Sequence, residues 1–276
     1  MVNKFTISGL RFKTPSIILL LAASWMLVLP MIGNAQQPTA QPDPSPEIRT
    51  EEDPTRPVLF TIRNEYRKLK NRDWANTVIF RYDTIFFKNL QNKGGAKGLI
   101  FRFDVPFNTV NRAGVTKAGL GDLYTQILYI PRIKRRFALA VGSGILFPTA
   151  TDRILGQGKL ILAPTAVPVW YFAKRKRLVL VRLQNYVSVA GSGSRPNVNF
   201  LIADPILVQR LTRKWWILAN TELKWDWRAQ RGSGTSGVQF GRVLRNGFGF
   251  WIKPELSWGP GRQGDFNLKF TFYRIR

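Results

Sequence analysis

From residue 57 onward the chain repeats one pattern, an apolar side chain every second residue with polar groups between. In ILANTELKWDWRAQRGSG (217–234), Ile217, Ala219, Thr221, Leu223, Trp225 and Trp227 are mostly apolar and interleave with Asn220, Glu222, Lys224, Asp226 and Arg228. A period of two predicts a β-strand with two unlike faces. The same alternation places Leu99, Phe101, Phe103, Val105 and Phe107 against Arg102 and Asp104, and Val179, Val181 and Leu183 against Arg182 and Gln184. Phe248, Phe250, Ile252, Leu256 and Trp258 oppose Lys253, Glu255 and Ser257, while Phe266, Leu268, Phe270 and Phe272 oppose Asn267, Lys269 and Thr271. Gly, Asn, Pro and basic turns punctuate the run into about twelve predicted strands: 58–68, 76–88, 97–107, 120–131, 135–147, 158–172, 177–190, 197–210, 214–227, 236–245, 247–258 and 264–275. No segment after Pro57 has a helical period.

Three features decide what each face touches. The polar face carries opposite charges at i and i+2, as in Arg81/Asp83, Arg102/Asp104, Glu222/Lys224/Asp226 and Lys253/Glu255, which suits facing rows inside a polar lumen. The strands reach the 9–11 residues that cross a bilayer at a tilt, longer than the soluble average. Trp215, Trp216, Trp225, Trp227, Trp258 and Tyr273 lie near strand ends, where aromatic girdles meet the membrane interface. The predicted fold is all-β, a single transmembrane antiparallel up-and-down β-barrel over residues 57–276; a β-sandwich is the competing arrangement. The pore-lining side chains are expected to be Arg81, Asp83, Arg102, Asp104, Arg182, Gln184, Glu222, Lys224, Asp226, Lys253, Glu255 and Lys269. With a periplasmic N-terminus, residues 108–119, 149–157, 191–196 and 228–235 become long outer loops. Residues 132–134, 173–176, 211–213 and the Asn246-Gly247 hairpin become tight inner turns, and 89–96 is too long for its place among them.

Residues 1–35 read as a secretory signal, with Lys4, Arg11 and Lys13 before an apolar run that ends in Gly33-Asn34-Ala35. An uncleaved membrane anchor is the alternative. Residues 36–56 are rich in Pro, Gln, Asp and Glu with almost no large apolar group, a composition that predicts a flexible periplasmic linker.

Composition narrows the chemistry. Cysteine and histidine are absent, which excludes thiolate nucleophiles, disulfides, Cys/His zinc sites and a Ser-His-Asp relay. Asp104, Asp122, Glu222, Asp226 and Glu255 are candidate lumen carboxylates, but charge balance suits them better than proton abstraction, so no enzyme, metal or cofactor is expected. GLGD (119–122) and GQGK (156–159) fit no phosphate-loop pattern, and turn formation accounts for their glycines. Lys+Arg total 42 against 16 Asp+Glu, for a net charge of +26. The excess at 133–136 and 174–177 is suited to lipid phosphates at a basic rim, to anions in a pore, or to solvation alone. A nucleic-acid partner would fit the charge and the aromatics, but the export signal and the spread of Lys and Arg over most turns argue against it.

GLGDL (119–123) followed by GSGILFPTATDRILGQGKLILAP (142–164) resembles the outer-membrane β-barrel family of the MetA-pathway of phenol degradation. The resemblance spans about residues 97–276 and implies an outer-membrane barrel that passes small hydrophobic or aromatic compounds. The chain departs from that family in ending FTFYRIR, without a terminal aromatic, and in being more basic. The resulting expectation is a channel in the outer membrane of a Gram-negative-type envelope for passive passage of small solutes, anionic or aromatic. A non-conducting barrel that anchors or binds partners is the alternative, and the oligomeric state is left open.

Overall fold

The computed structural model describes residues 52–54, 58–88, 96–134, 136–173 and 176–275. The signal over 1–35, most of the linker over 36–56 and most of the 89–96 connection lie outside the described residues. Thirteen strands follow in order: β1 (Val58–Leu69), β2 (Trp74–Lys88), β3 (Ala96–Arg112), β4 (Val115–Leu120), β5 (Tyr124–Ile133), β6 (Phe137–Leu146), β7 (Lys159–Phe172), β8 (Arg177–Gly191), β9 (Asn199–Arg210), β10 (Trp215–Asp226), β11 (Arg231–Val243), β12 (Phe248–Trp258) and β13 (Gly264–Ile275). Twelve of them form the ring: β1 to β3 and β5 to β13 pair antiparallel in chain order, β3 pairs with β5 past β4, and β1 pairs with β13, so the ring is closed. Closure pairs each of the twelve ring strands on both sides, the condition hydrocarbon imposes on a spanning sheet.

The thirteenth strand is β4, which pairs with the end of β3 from Phe107 to Arg112. The sequence pattern assigns 108–119 to a loop, whereas β3 runs on to Arg112 and folds back through Ala113 and Gly114, both in the left-handed region. The loop expected over 228–235 is also mostly strand, because β11 starts at Arg231. Its glycines read as turn punctuation, but Gly232 and Gly234 pair directly with Trp225 and Trp258, whose indoles lie over them. An aromatic ring across the ladder supplies the packing that glycine lacks.

One end of the barrel carries the short turns 211–214 and 244–247, and there β6 begins four residues after β5 ends and β8 five residues after β7 ends. Asn246 and Gly247 have φ of 59° and 75°, the mirror-image turn that matches strand twist. The opposite end carries the longer connections 147–158 and 192–198, but its first turn, 70–73, is as tight as any, with Asn71 and Arg72 both left-handed. The expected rule of long loops at this end therefore holds only in part.

Large apolar side chains cover the outside: Phe80, Phe107, Ile127, Leu183, Phe240 and Phe272 are each more than 40% exposed. In a sandwich the same side chains would be buried between sheets, so closure and this exposure together exclude that alternative. Thr221 also points outward, and its hydroxyl is 3.1 Å from that of Ser236, which accepts from the Trp258 indole N–H at 3.1 Å. The polar groups on that patch satisfy one another, as they must against lipid.

Two expectations about the faces need correction. Trp216 and Tyr273 do not join an outer girdle; they point inward, are 3% and 4% exposed, and share an indole-to-hydroxyl hydrogen bond of 3.4 Å. Nor is the inner face polar throughout. Toward the short turns it carries one apolar cluster, including Ile130, Val169, Leu180, Val208, Leu218 and Trp251. The alternation of oily and polar faces thus applies to the half of the barrel nearer the long loops.

Candidate functional site

That polar half encloses a cavity of about 500 Å³. Ten of the twelve expected inner residues line it: Arg81, Arg102, Asp104, Arg182, Gln184, Glu222, Lys224, Lys253, Glu255 and Lys269. Asp83 stands behind Arg102, bonded to it. Asp226 sits at the end of β10 and accepts the Arg228 and Ala229 backbone N–H groups at 2.9 Å each, so it shapes a turn.

Register explains how the i,i+2 charges combine. β2 and β3 are antiparallel with Arg81 opposite Asp104 and Asp83 opposite Arg102, so each arginine of one strand faces an aspartate of the other. Arg81 donates from Nε and Nη2 to Asp104 at 2.7 and 2.6 Å, and Arg102 donates likewise to Asp83 at 2.8 and 2.9 Å. These paired forks are the strong form of the charge-assisted bond, and their planar geometry fixes both side chains against the wall. Across β8 and β9, Arg182 faces Asp204 and donates to it at 2.6 Å, while Asn220 donates to the other Asp204 oxygen at 2.8 Å. On β12 and β13, Lys253 and Lys269 are direct partners, a repulsive placement offset by Glu255, whose carboxylate lies 2.9 Å from one ammonium and 3.0 Å from the other.

The third predicted row behaves differently. Glu222 makes no ion pair with another described residue, and the Lys224 ammonium sits 3.9 Å from the centre of the Phe200 ring in a cation–π contact. Phe200 in turn stacks on Tyr186, with centroids 4.8 Å apart and planes 21° apart. Tyr186 donates to Gln184 at 2.8 Å, and Gln184 donates to Tyr124 and Thr165 at 2.9 Å each. A neutral, aromatic strip therefore runs beside the cations on this wall.

Several contributors escape the sequence pattern. Asp204 is fully buried in an apolar run before Pro205, where a lone acid was itself the available signal. Arg63 and Glu65 repeat the i,i+2 motif on β1, and their side chains meet at 2.8 Å. Among the described residues, nine basic and five acidic groups line the cavity, with Asp83, Asp204 and Asp265 paired to three of the arginines from outside the lining, so cations prevail after pairing.

The Gly-rich motifs turn out to build one inward-folded loop. The Asp122 carboxylate accepts the Ala150 N–H at 3.1 Å and the Gln157 N–H at 2.5 Å, pinning both ends of the 147–158 connection. A side chain at Gly156 would collide with Asp122 and Ala150, which is why glycine stands there. Asn108 donates to the Leu155 carbonyl at 2.7 Å, and Leu155 packs on Ala75 and Val110 of the inner wall, so the loop narrows the mouth. Asp122 is a loop anchor rather than a lumen charge.

At the other side of the cavity stand Glu52, Asp53 and Pro54, from the stretch that composition assigns to a linker. The Tyr171 hydroxyl donates to Asp53 at 2.9 Å and Arg182 Nη1 lies 3.5 Å from Glu52. Among the described residues, no group of three or more His, Cys, Asp or Glu could hold a metal ion.

No family model matches the chain, and no curated protein matches it in sequence. Solved structures do match. The COG4313 outer membrane channel from Pseudomonas putida F1 is 10% identical over 86% of this chain and 100% of that chain, with a TM-score of 0.63. The NanC porin is 9% identical over 79% of this chain and 99% of that chain, TM-score 0.52. The KdgM porin is 8% identical over 79% of this chain and 98% of that chain, TM-score 0.51. At such identities the likeness concerns the fold: the chain has the twelve-stranded architecture of outer-membrane β-barrel channels.

Proposed function

We propose that the protein is a passive channel in the outer membrane of a Gram-negative-type envelope, passing small solutes with a preference for anions, aromatic carboxylates among them. The observation that carries this reading is the charged cavity, whose described lining holds nine cations and five carboxylates and keeps a cation excess after Asp83, Asp204 and Asp265 are paired with three of its arginines. A pore with excess fixed cations concentrates anions and depletes cations. The pore-lining roles of Arg81, Asp83, Arg102, Asp104, Arg182, Gln184, Glu222, Lys224, Lys253, Glu255 and Lys269 are part of this proposal, with Asp226 shaping the mouth. The Tyr186–Phe200 stack beside Lys224 supports the aromatic component, as does the phenol-degradation resemblance of residues 119–123 and 142–164. The KdgM porin is known in complex with disordered oligogalacturonate, a polyanion. Residues 1–35 serve as the export signal in this reading, and basic residues at the short turns meet lipid phosphates.

The test is reconstitution in planar bilayers under a salt gradient. Discrete conductance steps with an anion-biased reversal potential are expected. A cation-biased potential would refute the role of the wall, and a sealed bilayer would favour the non-conducting, anchoring barrel, which the apolar cluster toward the short turns supports.

A further inference from the structure

Arg182 holds two carboxylates of different standing. Asp204 is its cross-strand partner, fully buried, bonded at 2.6 Å from Nη2 and held on its other oxygen by Asn220. Glu52 reaches the same guanidinium at Nη1, at 3.5 Å, from a stretch of chain that precedes β1 and belongs to no strand. One carboxylate is built into the wall; the other is a visitor at a longer distance. Its neighbour Asp53 is 2% exposed and accepts from Tyr171, which lies one residue before the end of β7. Tyr171 pairs with Leu178, and Arg182 lies four residues further along β8, about 13 Å deeper at the rise of a strand. Two adjacent side chains therefore span part of the inner wall, reaching from the apolar end up to the charged cavity. The segment also lines a second, smaller cavity of about 40 Å³ with Ile100, Leu128 and Val167 of that apolar end.

A guanidinium presents more donors than one carboxylate can use, so its Nη1 edge is a ready site for a second anion of the same chemistry. We propose that the Nη1 edge of Arg182 is the carboxylate-binding site of the passage, occupied at rest by the chain's own Glu52, and that a solute carboxylate opens the path by displacing Glu52 and, with it, Asp53 and Pro54. The proposal rests on the channel reading and deepens it: the acidic residues before β1 act as a tethered stand-in for the solute. Arg182 exchanges one carboxylate for another with no change in its own charge balance, so the solute must outcompete the tether's local concentration and the Tyr171–Asp53 hydrogen bond that leaves with it.

The experiment uses the full chain in planar bilayers, wild type against the double variant Glu52→Gln, Asp53→Asn, with heat-modifiable gel mobility confirming that both barrels are folded. In chloride alone the variant is expected to raise the open-to-closed ratio at least roughly tenfold, since the contacts to Arg182 and to Tyr171 both lose their charge. Benzoate added to the wild type is expected to raise the ratio with saturation, while benzamide, the same ring without the charge, leaves it unchanged; the variant, already open, responds to neither. Equal gating in wild type and variant would overturn the proposal while leaving a conducting channel. So would an equal response of the wild type to benzoate and benzamide. Silence of both proteins would overturn the channel reading and this inference together.

Discussion

The forks between β2 and β3 give a test of what register contributes. Exchanging the partners, with Arg81→Asp and Asp104→Arg together, keeps the wall's net charge and the cross-strand pairing but changes the order along each strand. In the native order every charge has an opposite neighbour across the ladder and another two residues along its own strand. Replacing Asp104 alone by Ala leaves a largely buried Arg81 fork without its carboxylate, a loss of about 3–5 kcal/mol for a buried pair and toward the lower value beside a wet cavity. The exchange restores the fork but converts along-strand attractions into repulsions while the diagonals change from repulsive to attractive. With neighbours about 7 Å along the strand and diagonals about 8 Å, the two changes nearly cancel, leaving a cost of about 0.3–1.2 kcal/mol for an effective dielectric between 80 and 20. Urea unfolding in lipid vesicles, followed by heat-modifiable mobility, should therefore place the exchange close to wild type and far from the Asp104→Ala single variant. An exchange as unstable as the single variant would refute the claim that direct cross-strand pairing outweighs the order of charges along each strand. Because the net charge is conserved, the reversal potential of any conducting channel should not move.

Asp122→Ala should free the 147–158 loop, since it removes the acceptor for the Ala150 and Gln157 N–H groups; trypsin should then cut after Arg153 much faster than in the wild type while the barrel stays folded. Ile252→Arg places a charge on the lipid face near the middle of β12 and should cost about 2–4 kcal/mol in the same vesicle unfolding assay, whereas Gln184→Glu on the inner face should cost less. Gly241→Val should destabilise the barrel, because Gly241 pairs with Trp216 and the indole occupies the space a side chain would need; the near-UV circular dichroism of the buried Trp216 should change with it.

The outer face was legible because hydrocarbon makes a simple demand, an apolar group at every second position, and Phe101, Leu183, Ile252 and Phe272 meet it without reference to any other strand. The inner face was legible only where chemistry repeats within one strand: Arg81/Asp83 and Arg102/Asp104 announce their pairing, whereas Asp204 is a single acid whose partner lies on another strand. Trp216 and Tyr273 show the limit of composition, since an aromatic near a strand end suits a girdle or a lumen equally and parity alone separates them. The Gly-rich stretches at 119–122 and 156–159 read as turns because glycine is frequent there; what they allow is the close approach of a loop to Asp122, a contact between positions 35 residues apart that no local pattern encodes.

Pairing and excess charge on this wall do different work. The forks at Arg81 and Arg102, and the single short bond from Arg182 to Asp204, fix their carboxylates so closely that each pair acts on a distant ion mainly as a dipole, contributing little net field along the axis. The bias toward anions must then arise from cations in excess of pairing, among them Lys224, held over Phe200 rather than by a carboxylate. Lys253 and Lys269 add to it by sharing the single carboxylate of Glu255. It follows that selectivity and stability reside in different residues of the same surface. Lys224→Met, which keeps the side-chain length and removes only the charge, should reduce anion preference with little loss of stability, whereas breaking a fork should do the reverse; a fork variant that shifted selectivity more than Lys224→Met would show that the pairs are not the closed dipoles their geometry describes.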